Sequence, residues 1–295
     1  MISIKNPMKS GMSPIFPQQK QYVIVDWANF VRRAYHSTDR PKALELLIFM
    51  LAKLRREYPG AELVVALEGD GREIRARMFP GYKGDRKRDL EFEGFMAKTL
   101  KLLDFMRGKL IKAPHGEADD AIACFVQKLE KGERAFMISE DRDLWQLIRG
   151  ERVCAVVRKG GLIDAHKCKE TLGVPPENVA CMKAFLGDSD NIPRGVPRMK
   201  TVLLTELAGC GTSPGAAYRV AKAKGVLTGK QLERVVKYRE QIELNYRLVK
   251  LRDGLRLLSK RQDGNPTGLM KFLAEQQLYR VDVPTIDRLT RKEPS

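Results

Sequence analysis

Acidic residues follow three apolar stretches of this sequence, at the points where buried strands would end. The stretches are residues 21–26, 62–68 and 135–139, and the acids are Asp26, Glu68, Asp141 and Asp143. A single acid at such a position is commonly a helix cap. Ligands of parallel sheets, however, bind beyond the carboxyl ends of the strands. Acids at three strand ends together therefore indicate a shared site.

Further acids occur in two other segments. Gly116-Glu-Ala-Asp-Asp120 opens a predicted helix over residues 118–130, and Glu117 and Asp120 would share one face of it. Acids at a helix start also stabilise the helix dipole, so capping is an alternative role. Asp188 and Asp190 lie in Gly187-Asp-Ser-Asp-Asn-Ile-Pro193. These segments widen the set of candidate ligands.

If these acids line one cleft, they repel one another strongly. A pair of like charges 4 Å apart costs about 4 kcal/mol at an effective dielectric near 20. Such a cluster needs divalent cations or large pKa shifts to persist. Oxygen ligands without histidine or cysteine suit Mg²⁺, with Mn²⁺ as a substitute. Two ions about 4 Å apart activate water and stabilise the leaving oxygen in phosphodiester hydrolysis. The candidate metal ligands are Asp26, Glu68, Glu117, Asp119, Asp120, Asp141, Asp143, Asp188 and Asp190.

The elements that position these acids alternate between strands and helices. Strands are predicted at residues 21–26, 62–68, 135–139 and 153–157, with helices at 43–57, 92–106 and 118–130. This order predicts an α/β fold with a mostly parallel central sheet flanked by helices. We expect a leader over residues 1–20, a catalytic domain over 21–185 and a basic helical region over 186–295.

The net charge of the chain indicates what kind of molecule it binds. The formal net charge of +17 favours a polyanion, of which nucleic acid is the commonest. The five cysteines form no CxxC pair and only three histidines occur, which disfavours zinc fingers and indicates a reduced, intracellular protein. No stretch approaches the roughly 18 apolar residues of a membrane span. We expect a cytoplasmic protein.

The ordered motifs resemble the flap-endonuclease/5′-nuclease family, and are most similar to bacteriophage 5′-nucleases and the 5′-nuclease domain of bacterial DNA polymerase I. The motifs are Val25-Asp26 with Asn29, Ala66-Leu-Glu68, Tyr82-Lys-Gly-Asp-Arg86, Gly116-Glu-Ala-Asp-Asp120, Ser139-Glu-Asp-Arg-Asp143 and Gly187-Asp-Ser-Asp-Asn-Ile-Pro193. They extend from residue 22 to about residue 197.

The resemblance implies a PIN/5′-nuclease-like sheet that holds two divalent metal ions. Asp26, Glu68, Glu117 and Asp119 would serve one ion, and Asp141, Asp143 and Asp188 the other, with Asp120 and Asp190 nearby.

The resemblance also implies a helical arch at about residues 82–110. At its base, Lys83 would contact the scissile phosphate beside Arg75, and Asp120 would share in catalysis. Tyr82, Arg86, Lys87 and Arg88 would contact DNA in or beside the arch.

The sequence departs from the family at three places. Glu68 stands where the family usually has aspartate, and Asp70 is a rival for its role. Asp188 and Asp190 are separated by one residue instead of two. The helix-hairpin-helix reads Gly195-Val-Pro-Arg-Met-Lys200, without the second pair of glycines that lets backbone amides approach a phosphate. Arg194, Arg198 and Lys200 are candidate DNA contacts there, and K⁺ binding at this hairpin is in question.

The leading hypothesis is a monomeric, metal-dependent 5′-nuclease that acts on DNA flaps, nicks or free 5′ ends. RNA–DNA hybrids and replication proteins are further candidate partners, and a phage origin would place the enzyme in the host cytoplasm. A PIN-like ribonuclease is one alternative, because it shares the acidic sheet edge. A DNA-binding replication accessory protein without catalytic activity is another.

Overall fold

Seven strands form one sheet at the centre of the computed structural model, which describes residues 19–85, 88–157 and 161–291. The strands are β1 (Gln21–Asp26), β2 (Glu62–Leu67), β3 (Arg107–Lys112), β4 (Arg134–Ile138), β5 (Val153–Val157), β6 (Gly161–Ile163) and β7 (Leu258–Asp263). Their order is β6-β5-β4-β1-β2-β3-β7. The five inner strands are parallel, and β6 and β7 add antiparallel edges.

Helices cover both faces of the sheet. They are α1 (Trp27–Ser37), α2 (Ala43–Glu57), α3 (Gly71–Met78), α4 (Leu90–Leu103), α5 (Ala118–Gln127), α6 (Ala165–Leu172), α7 (Val179–Leu186), α8 (Thr201–Gly209), α9 (Pro214–Ala223), α10 (Gly229–Lys237), α11 (Arg239–Val249), α12 (Pro266–Glu275) and α13 (Val283–Thr290). Among the residues that the structure describes, no helix combines the length and the apolar character needed to cross a membrane.

Side chains of each strand point alternately to the two faces of the sheet, so the apolar residues of a strand are shared between two core layers. Ile24 of β1 packs in the layer that contains α5, whereas Val23 and Val25 pack with α1 and α2. Successive side chains of a strand point to opposite faces, so each continuous apolar run fills both layers. This pattern explains why the four predicted strands, all apolar runs, are confirmed.

Parallel pairing brings the carboxyl ends of the strands to one edge. Asp26 of β1 is in register with Ala66 of β2, and Val25 with Ile138 of β4. Glu68 and Ser139 therefore begin the loops that lie beside Asp26. The register aligns the acidic segments that follow different strands.

The structure differs from the sequence analysis near β3 and after residue 185. The predicted arch, at about residues 82–110, contains α4 but ends inside β3. Residues on both sides of the expected boundary share one core layer, for example Phe185 and Leu204. The region expected to be helical also contributes β7 to the sheet and packs α13 against α2. Leu269 of α12 and Leu289 of α13 are buried in the same core layer as α2. The expected leader lies almost entirely outside the described residues.

Candidate active site

A cleft of about 120 Å³ lies at the carboxyl ends of the parallel strands. Seven of the nine predicted metal ligands line it: Asp26, Glu68, Glu117, Asp119, Asp141, Asp143 and Asp190. Lys83 and Arg32 are its basic residues, and Asn29 also contributes to the wall. The cleft is therefore acidic, although the chain as a whole carries a large positive charge.

Backbone amides orient three of the cleft carboxylates. Asp26 caps α1 and accepts from the Asn29 amide at 3.1 Å, and Glu68 accepts from the Ala118 amide at 3.0 Å. Asp141 caps a 3₁₀ turn and accepts a bond from the Asp143 amide at 2.8 Å. Asp26 and Asp141 are thus both helix caps and cleft residues, because each directly precedes a helical turn. Glu68 instead accepts from the first residue of α5, which lies far along the chain.

The cleft penalises the charged form of several carboxyl groups. Burial, with the nearby Glu68 carboxylate, raises the pKa of Asp26 to about 7. Burial and Asp141 raise the pKa of Asp143 to about 6, against the opposing effect of Lys183. The pKa of Asp119 also rises, chiefly through burial. The cleft therefore has more carboxylates than its own cations neutralise.

Lys83 is the basic residue inside this cleft. Its ammonium group forms an ion pair with Glu117 and lies 3.6 Å from Asp190 Oδ2. Its backbone adopts a left-handed conformation, with φ of 51°, and its amide donates to the Asp190 carbonyl at 3.1 Å. Burial alone would lower the pKa of Lys83, but the Glu117 carboxylate outweighs it, and the pKa rises. Lys83 is therefore charged at neutral pH.

Lys183 of α7 is a functional candidate that the sequence analysis missed. Its ammonium group contacts the Asp143 carboxylate and lies 2.8 Å from Asp188 Oδ2. Asp188 lies in an adjoining cavity that Asp141 and Lys183 also line, outside the main cleft. The signal available in the sequence was a lysine on the helix directly before the Gly187–Pro193 motif.

Asp120 and Arg75 are corrections to the predicted site. Arg75 Nη2 and Nη1 donate to the two Asp120 oxygens at 2.8 and 3.0 Å, and Arg252 Nη2 donates to Asp120 Oδ2 at 2.7 Å. The amides of Glu117 and Arg252 donate to the same carboxylate. Asp120 is fully buried and does not line the cleft. Both Asp120 oxygens therefore accept several hydrogen bonds within the protein, and Arg75 is the buried partner of Asp120.

Tyr82, predicted as a DNA contact, is also buried. Its hydroxyl group donates to Glu117 Oε1 at 2.9 Å, and Arg75 Nη1 donates to the same oxygen at 2.6 Å. Glu117 therefore receives bonds from Tyr82, Arg75 and Lys83 together. Tyr82 fixes a cleft carboxylate and is not placed to face a nucleic acid.

Glu68 and Asp70, the two candidates for one metal-ligand position, lie in different places. A Cβ atom at Gly71 would lie 2.4 Å from the Glu117 amide nitrogen, so only glycine lets α3 start this close to the start of α5. In this arrangement Glu68 lines the cleft. Asp70 Oδ2 instead lies 3.3 Å from the exposed His115 ring and outside the cleft.

The predicted DNA contacts beyond the cleft differ in exposure. Arg88, Arg198 and Lys200 are exposed, whereas Arg194 is partly buried. Arg88 forms an ion pair with Glu93 at 2.8 Å. Arg86 and Lys87 lie outside the described residues.

The donor chemistry of the cleft fits a divalent cation. Within residues 19–85, 88–157 and 161–291, no three acidic, histidine or cysteine side chains are arranged as ligands of one ion. Lys83 and Lys183 hold four of the carboxylates in ion pairs instead. An ion that binds must take oxygens from these ammonium groups. All the available donors are carboxylate oxygens, which Mg²⁺ and Mn²⁺ prefer.

Comparisons with known proteins find relatives of this chain in sequence and in structure. Residues 21–173, 153 of the 295, match the family profile of the 5′-3′ exonuclease, N-terminal resolvase-like domain. DNA polymerase I of Pseudomonas aeruginosa is 28% identical over 272 residues, which cover 84% of this chain and 29% of that protein. A 5′-3′ exonuclease of Buchnera aphidicola is 28% identical over 203 residues, covering 64% of this chain and 67% of that one.

Solved structures share the fold. The bacteriophage T5 flap endonuclease, in complex with DNA and metal ions, has a TM-score of 0.63 at 19% identity and covers 88% of this chain and 100% of its own. Human GEN1, in complex with Holliday junction DNA, has a TM-score of 0.58 at 16% identity, covering 88% of this chain and 68% of its own. This chain spans about a third of the length of the DNA polymerase I relatives.

Proposed function

We infer, because this chain belongs to the 5′-3′ exonuclease family, that it is a divalent-metal-dependent nuclease that hydrolyses DNA phosphodiester bonds near 5′ ends. One observation carries the proposal: seven carboxylates from five separate segments of the chain line a single cleft at the carboxyl edge of the sheet. A basic protein gains from an acidic cleft only when cations make that cleft attractive to phosphate.

In this proposal the carboxylates of the cleft bind metal ions and Lys83 stabilises the phosphate. Asp26, Glu68, Glu117 and Asp119 are proposed to hold one Mg²⁺ ion, and Asp141, Asp143 and Asp188 a second, with Asp190 beside them. The bound ions would supply an activated water and stabilise the leaving oxygen. Lys83 holds a positive charge against the same wall, where it stabilises negative charge that grows on the phosphate in the transition state.

The substrate class follows from charge and from the relatives. The net charge of +17 favours a polyanion. The structural neighbours include a flap endonuclease in complex with DNA and GEN1 in complex with Holliday junction DNA. We propose 5′ flaps, nicks and free 5′ ends as substrates, with RNA–DNA hybrids as a secondary class. We further propose a monomer that acts in the cytoplasm, beside replication proteins.

A cleavage assay tests this function. Purified protein is incubated with a labelled 5′-flap duplex or with single-stranded RNA, with Mg²⁺ or with EDTA. We expect Mg²⁺-dependent release of short 5′ products from the flap. Preferred cutting of RNA would favour a PIN-like ribonuclease, and binding without cutting would favour the accessory role.

Matched variants connect the activity to the cleft. Asp141→Asn removes one carboxylate that lines the cleft, and we expect at least about a 10²-fold loss of turnover, as for other transition-state contacts. Asp70→Asn removes an acid outside it and should retain activity. Equal activities of the two variants would show that this cleft is not the active site.

A further inference from the structure

The loop between α7 and α8 is a hairpin whose backbone carbonyl groups are held by arginine side chains. Arg194 Nη2 donates to the Met199 carbonyl at 2.7 Å and to Thr201 Oγ1 at 3.1 Å. The Arg234 guanidinium group, from α10, donates to the Pro197 carbonyl. Two guanidinium groups therefore lie on the inner side of the turn.

The neighbouring carbonyl groups of this hairpin are also engaged. The Ile192 carbonyl accepts from the Asp188 amide at 3.0 Å, the Pro193 carbonyl from Asn245 Nδ2 at 2.7 Å, and the Lys200 carbonyl from the Leu204 amide at 3.2 Å. A monovalent cation bound to backbone needs several convergent carbonyl oxygens. Here the carbonyl oxygens of residues 192, 193, 197, 199 and 200 each accept a hydrogen bond, two of them from guanidinium groups, so these residues do not fit a K⁺ ion.

The outer side of the hairpin carries its own positive charge. Arg198 has a φ of 59°, in the left-handed region that favours glycine, and its side chain is exposed. Lys200 is exposed as well. Among the described residues, neither side chain forms an ion pair, so both charges face solvent at the turn.

We propose that the hairpin of residues 194–200 binds a DNA phosphate without any monovalent metal ion. Arg194 and Arg234 are positioning residues, because they fix the carbonyl groups that a cation would otherwise organise. Arg198 and Lys200 supply the charge that meets the phosphate. The inference rests on the proposed function, in that DNA is the ligand.

The first test compares monovalent cations. Binding of a labelled 5′-flap duplex is followed by fluorescence anisotropy with Ca²⁺ in place of Mg²⁺, in equal concentrations of potassium, sodium or tetramethylammonium chloride. We expect wild-type Kd values to agree within about twofold, since only ionic strength acts. Tenfold tighter binding in potassium alone would overturn the inference. Failure to bind in every salt would overturn the proposed function as well.

The second test removes the arginine and the outer charges separately. Arg234→Met should raise Kd by about tenfold, the effect of losing one hydrogen bond to a charged group. Arg280→Met removes the same charge from an exposed side chain near α2 and should change Kd little. Arg234→Lys keeps the charge but not the guanidinium group that donates to the Pro197 carbonyl, and should bind like Arg234→Met.

The double variant Arg198→Ala/Lys200→Ala changes only exposed side chains and keeps the protein testable if Arg234→Met fails to fold. Loss of this one phosphate contact should make the slope of log K against log salt shallower by about 0.9. An unchanged slope would show that the turn does not contact phosphate.

Discussion

Two adjacent aspartates of α5 have opposite surroundings. Asp119 lines the cleft, and burial raises its pKa. Asp120 lies between Arg75 and Arg252, and these guanidinium groups, opposing the effect of burial, hold its pKa below the usual range. One helical step thus separates a carboxylate that still needs a cation from one that already has two. Asp119 and Asp120 are adjacent in the sequence, but one lines the cleft and the other is buried outside it.

Asp120→Asn tests this division. The variant removes the carboxylate that Arg75 and Arg252 share, although Arg75 keeps its ion pair with Glu117. Breaking a buried ion pair costs about 3–5 kcal/mol of unfolding free energy. Urea denaturation should show this loss. Glu93→Gln, which breaks the exposed pair with Arg88, should change stability little. A stable Asp120→Asn protein that cannot cleave would instead restore Asp120 to the metal site.

Lys83→Ala tests the positive charge in the cleft. Removing one contact to the charge of a transition state typically lowers turnover by about 10²–10³-fold, or roughly 3–4 kcal/mol. We expect this loss in single-turnover cleavage at saturating Mg²⁺, with the flap Kd changed only a few-fold. Arg88→Ala, exposed at the start of α4, should affect mainly Kd. Single-turnover rates within about threefold of wild type would contradict the role of Lys83.

At the scale of elements, α11 holds the loop that carries Asp188 and Asp190. Asn245 is fully buried, and its Nδ2 donates to the carbonyls of Ala184 and Pro193 at 3.0 and 2.7 Å. These two carbonyls flank the acidic loop at both of its ends. One side chain from α11 therefore fixes the distance that the loop must span.

Asn245→Ala should loosen this loop. Each buried carbonyl left without a donor costs about 1–3 kcal/mol, so stability should fall, and the Mg²⁺ concentration for half-maximal cleavage should rise. The control is Gln241→Ala, which removes only the donor to Asn245 Oδ1 at 2.8 Å and leaves both carbonyl bonds in place. A loss of stability with an unchanged Mg²⁺ requirement would mean that Asn245 supports the fold alone.

Sequence patterns predicted the four long apolar strands and missed the two charged strands. β1, β2, β4 and β5 are continuous apolar runs, as expected for strands buried on both faces. β3 reads Arg-Gly-Lys-Leu-Ile-Lys and β7 reads Leu-Ser-Lys-Arg-Gln-Asp. Neither has the apolar run or alternation that identifies a strand, because both lie towards the sheet edge.

The site was predictable to the level of segments but not of individual side chains. Helical spacing correctly places Glu117 and Asp120 on one face, and they form a capping box. That face turns towards Arg75 and Arg252, which are 45 and 132 residues from Asp120 along the chain. Local spacing contains no information about such distant partners. It therefore could not separate Asp120 from the cleft ligands.

At the scale of the whole molecule, the acidic cleft makes stability depend on pH and on divalent ions. An aspartate in the unfolded chain ionises near pH 3.9, whereas the pKa values of Asp26 and Asp143 in the fold are about 7 and about 6. Between these values the folded state binds more protons than the unfolded state. The free energy of unfolding therefore falls as pH rises from about 4 to about 7.

We expect thermal melting in EDTA to show this fall, with a slope of up to about 1.4 kcal/mol per pH unit for each group. Mg²⁺ binds the ionised carboxylates, so the stabilisation that it confers should grow over the same pH range. In the double variant Asp26→Asn/Asp143→Asn, both effects should nearly disappear. A melting temperature that is independent of pH and Mg²⁺ in the wild type would contradict the shared cleft.

The late pairing of β3 with β7 has a consequence for biosynthesis. β3 ends at residue 112, but its antiparallel neighbour is translated only from residue 258 onward. A nascent chain that has already assembled its parallel strands on the ribosome thus exposes the β3 backbone as an open edge. Open edges recruit other chains, and lysine side chains deter such pairing. Arg107, Lys109 and Lys112 of β3 carry positive charges that disfavour pairing with other chains until β7 has been synthesised. The same charges explain why β3 was not predicted from its apolar pattern.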